Sequence, residues 1–306
     1  MATRLRGNWA TLLLPIADDD SIDFSRLKAE IDALIDAEVD GIYSNGTAGE
    51  FHNQTEAEYD RVQATLANAC TAAGMPFVIG ACHSDPMVSR QRVGRAVALK
   101  PCAIQIILPD WWPLTDAEAV DYLALIADEA RGVPLVLYNP PHAKRVLTPP
   151  ELQWVLARAP TVEAVKLGDG DAAWYASARE HLDGISLFVP GHHLATGMHE
   201  GVAAGAFSNV ACLNPRGAQR WTDLMTTDIA ACLDIEERLR TFIDTHVWPF
   251  RRDHGYSNAA LDKLLAEIGD WAPVGTRLRR PYRFIEASEA RRLRPVARQA
   301  VPELFV

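Results

Sequence analysis

Short apolar, β-rich runs recur eight times within the first 212 residues, and that rhythm constrains the fold more than any other feature. The runs are Ala10–Pro15, Gly41–Ser44, Phe77–Ala81, Ala103–Leu108, Leu135–Tyr138, Ala164–Lys166, Ser186–Val189 and Ala206–Cys212. Segments with helical periodicity separate them. Phe24–Ala37 places Leu27, Ile31, Leu34 and Ile35 on one face. Thr55–Ala73 and Thr115–Arg131 open with Thr55/Glu58 and Thr115/Glu118, the S/T-x-x-E pattern of a capping box. Pro134 follows the second helix where it stops continuation. Strands alternating with helices imply a parallel sheet with helical crossovers. Eight such units over roughly 210 residues match a (β/α)8 TIM barrel. An open doubly wound sheet is the alternative, but no G-x-G-x-x-G follows the first run. The rhythm then stops. Thr227–His246 and Ser257–Ile268 read as helices, and Pro273, Pro281 and Pro295 punctuate the end. The expected organisation is a catalytic barrel over residues 1–215 and a helical C-terminal extension over residues 216–306.

Charge and cysteine content narrow the class. With 30 basic and 40 acidic residues the net charge is −10, a field that repels phosphate and argues against nucleic acid. Eight Arg and three Glu between Val274 and Val306 make that tail +5, which leaves −15 on the rest. Such a tail either binds an acidic partner or pairs with the acidic barrel; the second is the plainer expectation. Five widely spaced cysteines with no C-x-x-C fit a reducing cytoplasm and not a disulfide framework or zinc ribbon. The apolar run Trp9–Ala17 ends in Asp18-Asp19-Asp20, so it reads as a strand and not a signal peptide. No run approaches the roughly 20 apolar residues of a membrane span.

In this barrel class the chemistry sits at the C-terminal ends of the strands. Lys166 stands there in an otherwise apolar context, Val162-Glu163-Ala164-Val165-Lys166-Leu167. A charged amine is costly to bury. Desolvation lowers its pKa and frees a neutral amine to attack a ketone or aldehyde as a Schiff-base nucleophile. The competing reading is a strand-end Lys paired with Asp169 or Asp171. Of the 30 basic residues only five are Lys, so the choice of Lys here is conspicuous, and Arg cannot lose its proton to become a nucleophile. Tyr138 lies one strand–helix unit earlier. It is either a proton-transfer group beside the amine or a core aromatic. Gly46-Thr47-Ala48-Gly49 is either an ordinary turn or an N–H nest for a carboxylate or phosphate. Thr47 adds a hydroxyl that can relay protons to Tyr138.

Taken together, Gly46-Thr47-Ala48-Gly49-Glu50, Tyr138-Asn139-Pro140-Pro141 and Lys166 followed by Gly170-Asp171 resemble the dihydrodipicolinate synthase / N-acetylneuraminate lyase family. The matching patterns are G-[ST]-T-G-E, Y-N-x-P and K-x-x-x-G-D, in order and in register over almost the whole chain. The resemblance implies a TIM barrel, a homotetramer built as a dimer of dimers, and class I aldolase chemistry on pyruvate or another 2-oxo acid, with no cofactor. It implies Lys166 as the Schiff-base residue, Tyr138 as acid/base and Thr47 as the relay hydroxyl. Gly46, Ala48, Gly49, Gly191 and Phe207 are expected to line the substrate site.

The departures are informative. Ala48 stands where the family carries a second hydroxyl that helps hold the pyruvate carboxylate. Ala143 replaces the Arg of true dihydrodipicolinate synthases, and the neighbouring Lys144 is a point charge without Arg's planar fork. Trp111 occupies the place of a Tyr supplied by the partner subunit. His192 and His193 are unusual after the seventh strand; they are extra acid/base groups, substrate donors or simple loop histidines. These changes point away from lysine biosynthesis, towards a hydratase, dehydratase or aldolase of another 2-oxo acid. Two further readings compete: a metal-dependent aldolase using His192, His193 and His199, whose spacing fits no strong zinc pattern, and a non-catalytic 2-oxo acid binding protein.

Overall fold

The computed structural model describes residues 5–168 and 170–305. Eight parallel strands close into a barrel in simple sequence order. They are β1 (Gly7–Thr11), β2 (Gly41–Tyr43), β3 (Phe77–Gly80), β4 (Ala103–Ile107), β5 (Leu135–Asn139), β6 (Val162–Leu167), β7 (Ser186–Pro190) and β8 (Ala203–Ser208). Closure is made by β1 and β8, with Trp9 opposite Phe207. Inside the barrel, Trp9, Tyr43, Val78, Val136, Phe188 and Phe207 pack into a buried plug. A larger apolar cluster fills the space between the barrel and its helices and continues into the C-terminal helices, from Ala10 to Leu304.

Local signals set the helix starts. Thr55 and Thr115 cap helices Glu56–Ala73 and Asp116–Ala130 with reciprocal bonds to Glu58 and Glu118. A third such box, Thr148 with Glu151, opens helix Pro149–Leu156.

Six strands match the sequence expectation within two residues at each end, and two are displaced further. The first strand is Gly7–Thr11 and not Ala10–Pro15. Leu12, Leu13 and Leu14 are buried, but beyond the ladder. Apolar residues report burial, whereas a strand requires paired backbone. The strand starts earlier than expected because Asn8 is a buried polar residue. Its N–H donates to Asp40 at 2.7 Å and its side chain donates to Gln219 at 3.2 Å. The eighth strand is Ala203–Ser208 and not Ala206–Cys212. Ser208 accepts the Ala211 N–H at 3.0 Å and turns Asn209–Leu213 into a helix.

After the barrel, helices Pro215–Leu224, Ile229–Phe242, Trp248–His254, Asn258–Gly269 and Ala287–Ala300 follow. The expected helix Thr227–His246 covers Ile229–Phe242 and the wide turn Ile243–Val247 that leads into Trp248–His254. Pro295 does not end a helix; it lies inside Ala287–Ala300. Burial of Ala290, Leu293 and Ala297 on one face holds this helix despite the lost backbone bond. The basic tail pairs with acids of the barrel: Arg277 with Asp18 at 2.8 Å, Arg279 with Glu58 at 2.6 Å and Arg280 with Asp20 at 2.5 Å. Among the described residues no helix is long and apolar enough to cross a membrane.

Candidate active site

The barrel register places Lys166 of β6 beside Tyr138 of β5. The two point into one cavity at the C-terminal mouth of the barrel. Lys166 Nζ sits 4.4 Å from the Tyr138 ring centroid, 4.7 Å from that of Tyr43 and 5.3 Å from that of Phe207. It donates to Tyr43 Oη at 3.3 Å. Lys166 has no ion-pair partner among the described residues. Burial pulls its pKa down to about 8, and Cys82, Asp262 and Cys212 hold it back from falling further. An amine in this setting is near half-neutral just above neutral pH, which a surface Lys is not.

Tyr138 is buried, and its hydroxyl lies 3.4 Å from Thr47 Oγ1. Burial pushes the phenol up to about 12, partly offset by the bond to Thr47. A phenol of this kind is protonated at neutral pH and ready to donate. Tyr43, between Lys166 and the barrel plug, is held further above the ordinary phenol range by burial.

The glycine turn folds against the amine. Asn45 (φ 52°) and Glu50 (φ 50°), both left-handed, bracket it. A Cβ on Gly46 would sit 2.9 Å from the Tyr43 ring and 3.4 Å from Lys166 Nζ, so only glycine allows this approach. Among the described residues the N–H groups of Gly46, Thr47 and Ala48 have no hydrogen-bond partner, and Thr47 and Ala48 line the small cavity beside Lys166. Glu50, at the end of the turn, forms a buried pair with Lys263 at 2.6 Å and so ties the turn to helix Asn258–Gly269.

Open space lies on several sides of Tyr138, and two parts of it reach Lys166. A small one of about 80 Å³ is lined by Thr47, Ala48, Tyr138, Lys166, Phe207 and Asp262. A larger one of about 330 Å³ shares Lys166, Tyr138 and Asp262 and extends to His192, Arg251 and Trp248. His192 Nδ1 lies 3.1 Å from Asn209 Oδ1. Gly191 packs behind it, where a Cβ would meet Ser208 Oγ at 2.5 Å. Gly49 likewise supports the turn from behind, where a Cβ would meet Asn45 N at 2.8 Å and Leu12 O at 3.1 Å.

Other residues singled out from the sequence lie elsewhere. Trp111 is 84% exposed on the rim. Lys144 donates to the Trp111 carbonyl at 2.7 Å and covers its ring, away from Lys166. The His193 ring lies tilted against His192, with centroids 4.4 Å apart, but does not line either part of the cavity. Asp171 caps helix Ala172–His181 by accepting the Trp174 N–H at 2.9 Å, so it does not serve Lys166. Asp169 lies outside the described residues. Among the described residues no three His, Cys, Asp or Glu side chains gather at one point, so His192, His193 and His199 do not converge. Tyr43, Asn209, Arg251, Asn258 and Asp262 are cavity residues that the sequence did not reveal. One signal existed for Asp262: it is a carboxylate on an otherwise apolar helix face with Leu261 and Leu265.

Fold and cavity together define a (β/α)8 barrel protein with a lysine and a phenol at its C-terminal mouth. The model of the dihydrodipicolinate synthetase family matches residues 4–300, and the chain belongs to that family. The N-acetylneuraminate lyase of Escherichia coli (strain K12 / DH10B) is 28% identical over 206 residues, 67% of this chain and 69% of the relative. A prophage protein of the dihydrodipicolinic acid synthase family from E. coli K12, solved in complex with pyruvate, superposes with a TM-score of 0.83 at 19% identity, over 96% of this chain and 98% of its own. CdNal from Clostridium difficile, solved in complex with mannosamine, gives 0.84 at 16% identity, over 97% and 100%. At such identities these two structures bear on the fold.

Proposed function

We propose that this chain is a Schiff-base-forming lyase acting on a 2-oxo acid, with Lys166 as the nucleophile, Tyr138 as acid/base and Thr47 as its relay. The observation that carries this reading is the Lys166 amine itself: desolvated, ringed by Tyr43, Tyr138 and Phe207, and without an ion-pair partner among the described residues. The neutral amine attacks the C2 carbonyl carbon and gives a carbinolamine. Tyr138 protonates the departing hydroxyl, water leaves, and a protonated imine remains. That imine draws electrons from C3, so a C3–C4 bond breaks in aldol cleavage, or a hydroxyl leaves C4 in dehydration after C3 gives up a proton. Thr47, hydrogen-bonded to the Tyr138 hydroxyl, passes protons between the phenol and the substrate. The open N–H groups at Gly46, Thr47 and Ala48 receive the substrate carboxylate, and the larger cavity at His192 takes the distal part.

In a homotetramer the exposed Trp111 and Trp112 are the side chains that a neighbouring copy would cover. The reading is tested by incubating the protein with pyruvate, reducing with borohydride and sequencing the peptides by mass spectrometry. A reduced pyruvyl adduct on Lys166 is expected. A Lys166→Arg variant that retains turnover would remove the proposal. Binding of 2-oxo acids without turnover of any would instead support a binding protein.

A further inference from the structure

Asp262 has no assigned task, yet it lines both parts of the cavity that reach Lys166. It stands on helix Asn258–Gly269 and shares the lining of both parts with Lys166 and Tyr138. Its carboxyl makes no hydrogen bond or ion pair with any described residue. The next residue, Lys263, turns away and spends its charge on Glu50 and the Arg277 carbonyl, both at 2.6 Å. The pair Glu50–Lys263 joins Asp262's helix to the glycine turn, so Asp262 and Ala48 face one small space.

An ionised Asp262 in that space would repel the carboxylate of a 2-oxo acid. A neutral one would do the reverse and offer an O–H donor. Ala48 gives the same ligand only its main chain. We propose that Asp262, in its neutral form, donates a hydrogen bond to the carboxylate of the bound 2-oxo acid, where Ala48 has no side-chain donor. This rests on the reading that the site takes a 2-oxo acid.

The surroundings favour the neutral form. Burial raises Asp262 to about 7, and only Lys166 pulls it down. Tyr43 from β2, Tyr138 from β5 and Cys212 from helix Asn209–Leu213 also feel Asp262 and carry no positive charge. Arg251, from helix Trp248–His254, is held by Asn258 at the larger cavity. His192 faces the same space from the end of β7. Arg294, on the packed helix Ala287–Ala300, binds the Glu267 and Ile268 carbonyls and Asp270 at the far end. An arriving carboxylate raises the pKa of Asp262 further, so binding takes up a proton.

The test is the pyruvate Kd from pH 6 to 9 for the wild type, Asp262→Asn and Asp262→Ala, with folding checked by circular dichroism. Borohydride trapping is run on the same samples. Asn keeps a neutral donor, so Asp262→Asn should bind at pH 6 within about threefold of wild type, and Asp262→Ala about tenfold more weakly. Between pH 6.5 and 8.5 the wild type should lose about tenfold more affinity than Asp262→Asn. Parallel pH profiles for wild type and Asp262→Asn, or equal binding by the Asn and Ala variants at pH 6, would overturn the proposal. Absence of a Lys166 adduct in wild type would strike the imine reading alone, because the Kd comparison also reads non-covalent binding.

Discussion

Lys166 stands opposite Tyr138 in the β5–β6 ladder, with its Nζ 4.4 Å from the centre of the phenol ring. Adjacent strands thus hold an amine and a phenol in fixed relation, with no loop involved. The rings of Tyr138, Tyr43 and Phe207 together desolvate the amine that they surround. The cost of burying that amine and its lowered pKa have one physical origin, the exclusion of water.

Turnover should depend on pH in a bell. It needs a neutral Lys166 amine, whose value is about 8, together with a protonated Asp262, whose value is about 7, so the competent form is a minority species most populated between the two values, with the rising limb near the lower and the falling limb near the higher. The two groups interact, so the apparent values belong to the pair. In Asp262→Asn the falling limb should vanish, leaving a single rise that follows loss of the Lys166 proton. A kcat/KM profile for both proteins checks this; superimposable profiles would contradict it.

Tyr138→Phe should lower kcat by about 10²- to 10⁴-fold, the usual range for losing a positioned acid/base group. The ring remains, so Lys166 should stay desolvated and the protein should stay folded. Thr47→Val should cost less, since it removes the partner at 3.4 Å and not the phenol itself. Unchanged turnover in Tyr138→Phe would end its assigned role.

Lys166→Met should stabilise the fold at pH 7 by about 1 to 3 kcal/mol, by removing a desolvated charge. The folded pKa of Lys166, about 8, lies below its unfolded value, so the penalty is full below pH 8. It fades as pH rises through about 10.4, the unfolded value. Urea unfolding at pH 7 and pH 10 measures the difference; a destabilised variant at pH 7 would refute it.

Lys263→Met should destabilise the protein by about 3 to 5 kcal/mol, because it leaves Glu50 buried without its cation. Adding Glu50→Gln should recover part of that loss. Urea unfolding of the single and double variants tests this, and a single variant within 1 kcal/mol of wild type would count against it.

Arg279→Ala should cost about 1 kcal/mol at pH 7, a modest value for a partly exposed pair. Arg279 and the Thr55 cap hold the Glu58 carboxyl down at about 2. Its contribution is therefore present above the ordinary carboxylate value of about 4.3 and lost as pH falls towards 2. The stability gap between variant and wild type should close over that window in acid titration.

Much of this was legible in the chain. The strand rhythm was visible because each barrel strand is buried on both faces and reads as a continuous apolar run. The same cause misplaced two ends: Leu12–Leu14 are as buried as a strand without being one, and Asn8 is in the ladder without being apolar. Thr55 and Thr115 were readable as helix caps because a cap is a contact within four residues. Lys166, Tyr138 and Thr47 stood out as polar groups at strand ends. Trp111 and Lys144 did too, yet they found each other on the rim.

The sequence alone determined the count and order of the strands, and which lysine ends the sixth, because period and local bonding are properties of neighbouring residues. Only the tertiary structure decided what surrounds that lysine. Helix Asn258–Gly269 comes from the far end of the chain and brings Asp262 to Lys166, anchored by Lys263 on Glu50. Whether an amine is neutral or a carboxyl keeps its proton depends on the water that distant elements exclude. No pattern along the chain records that exclusion, since it exists only once the elements are packed.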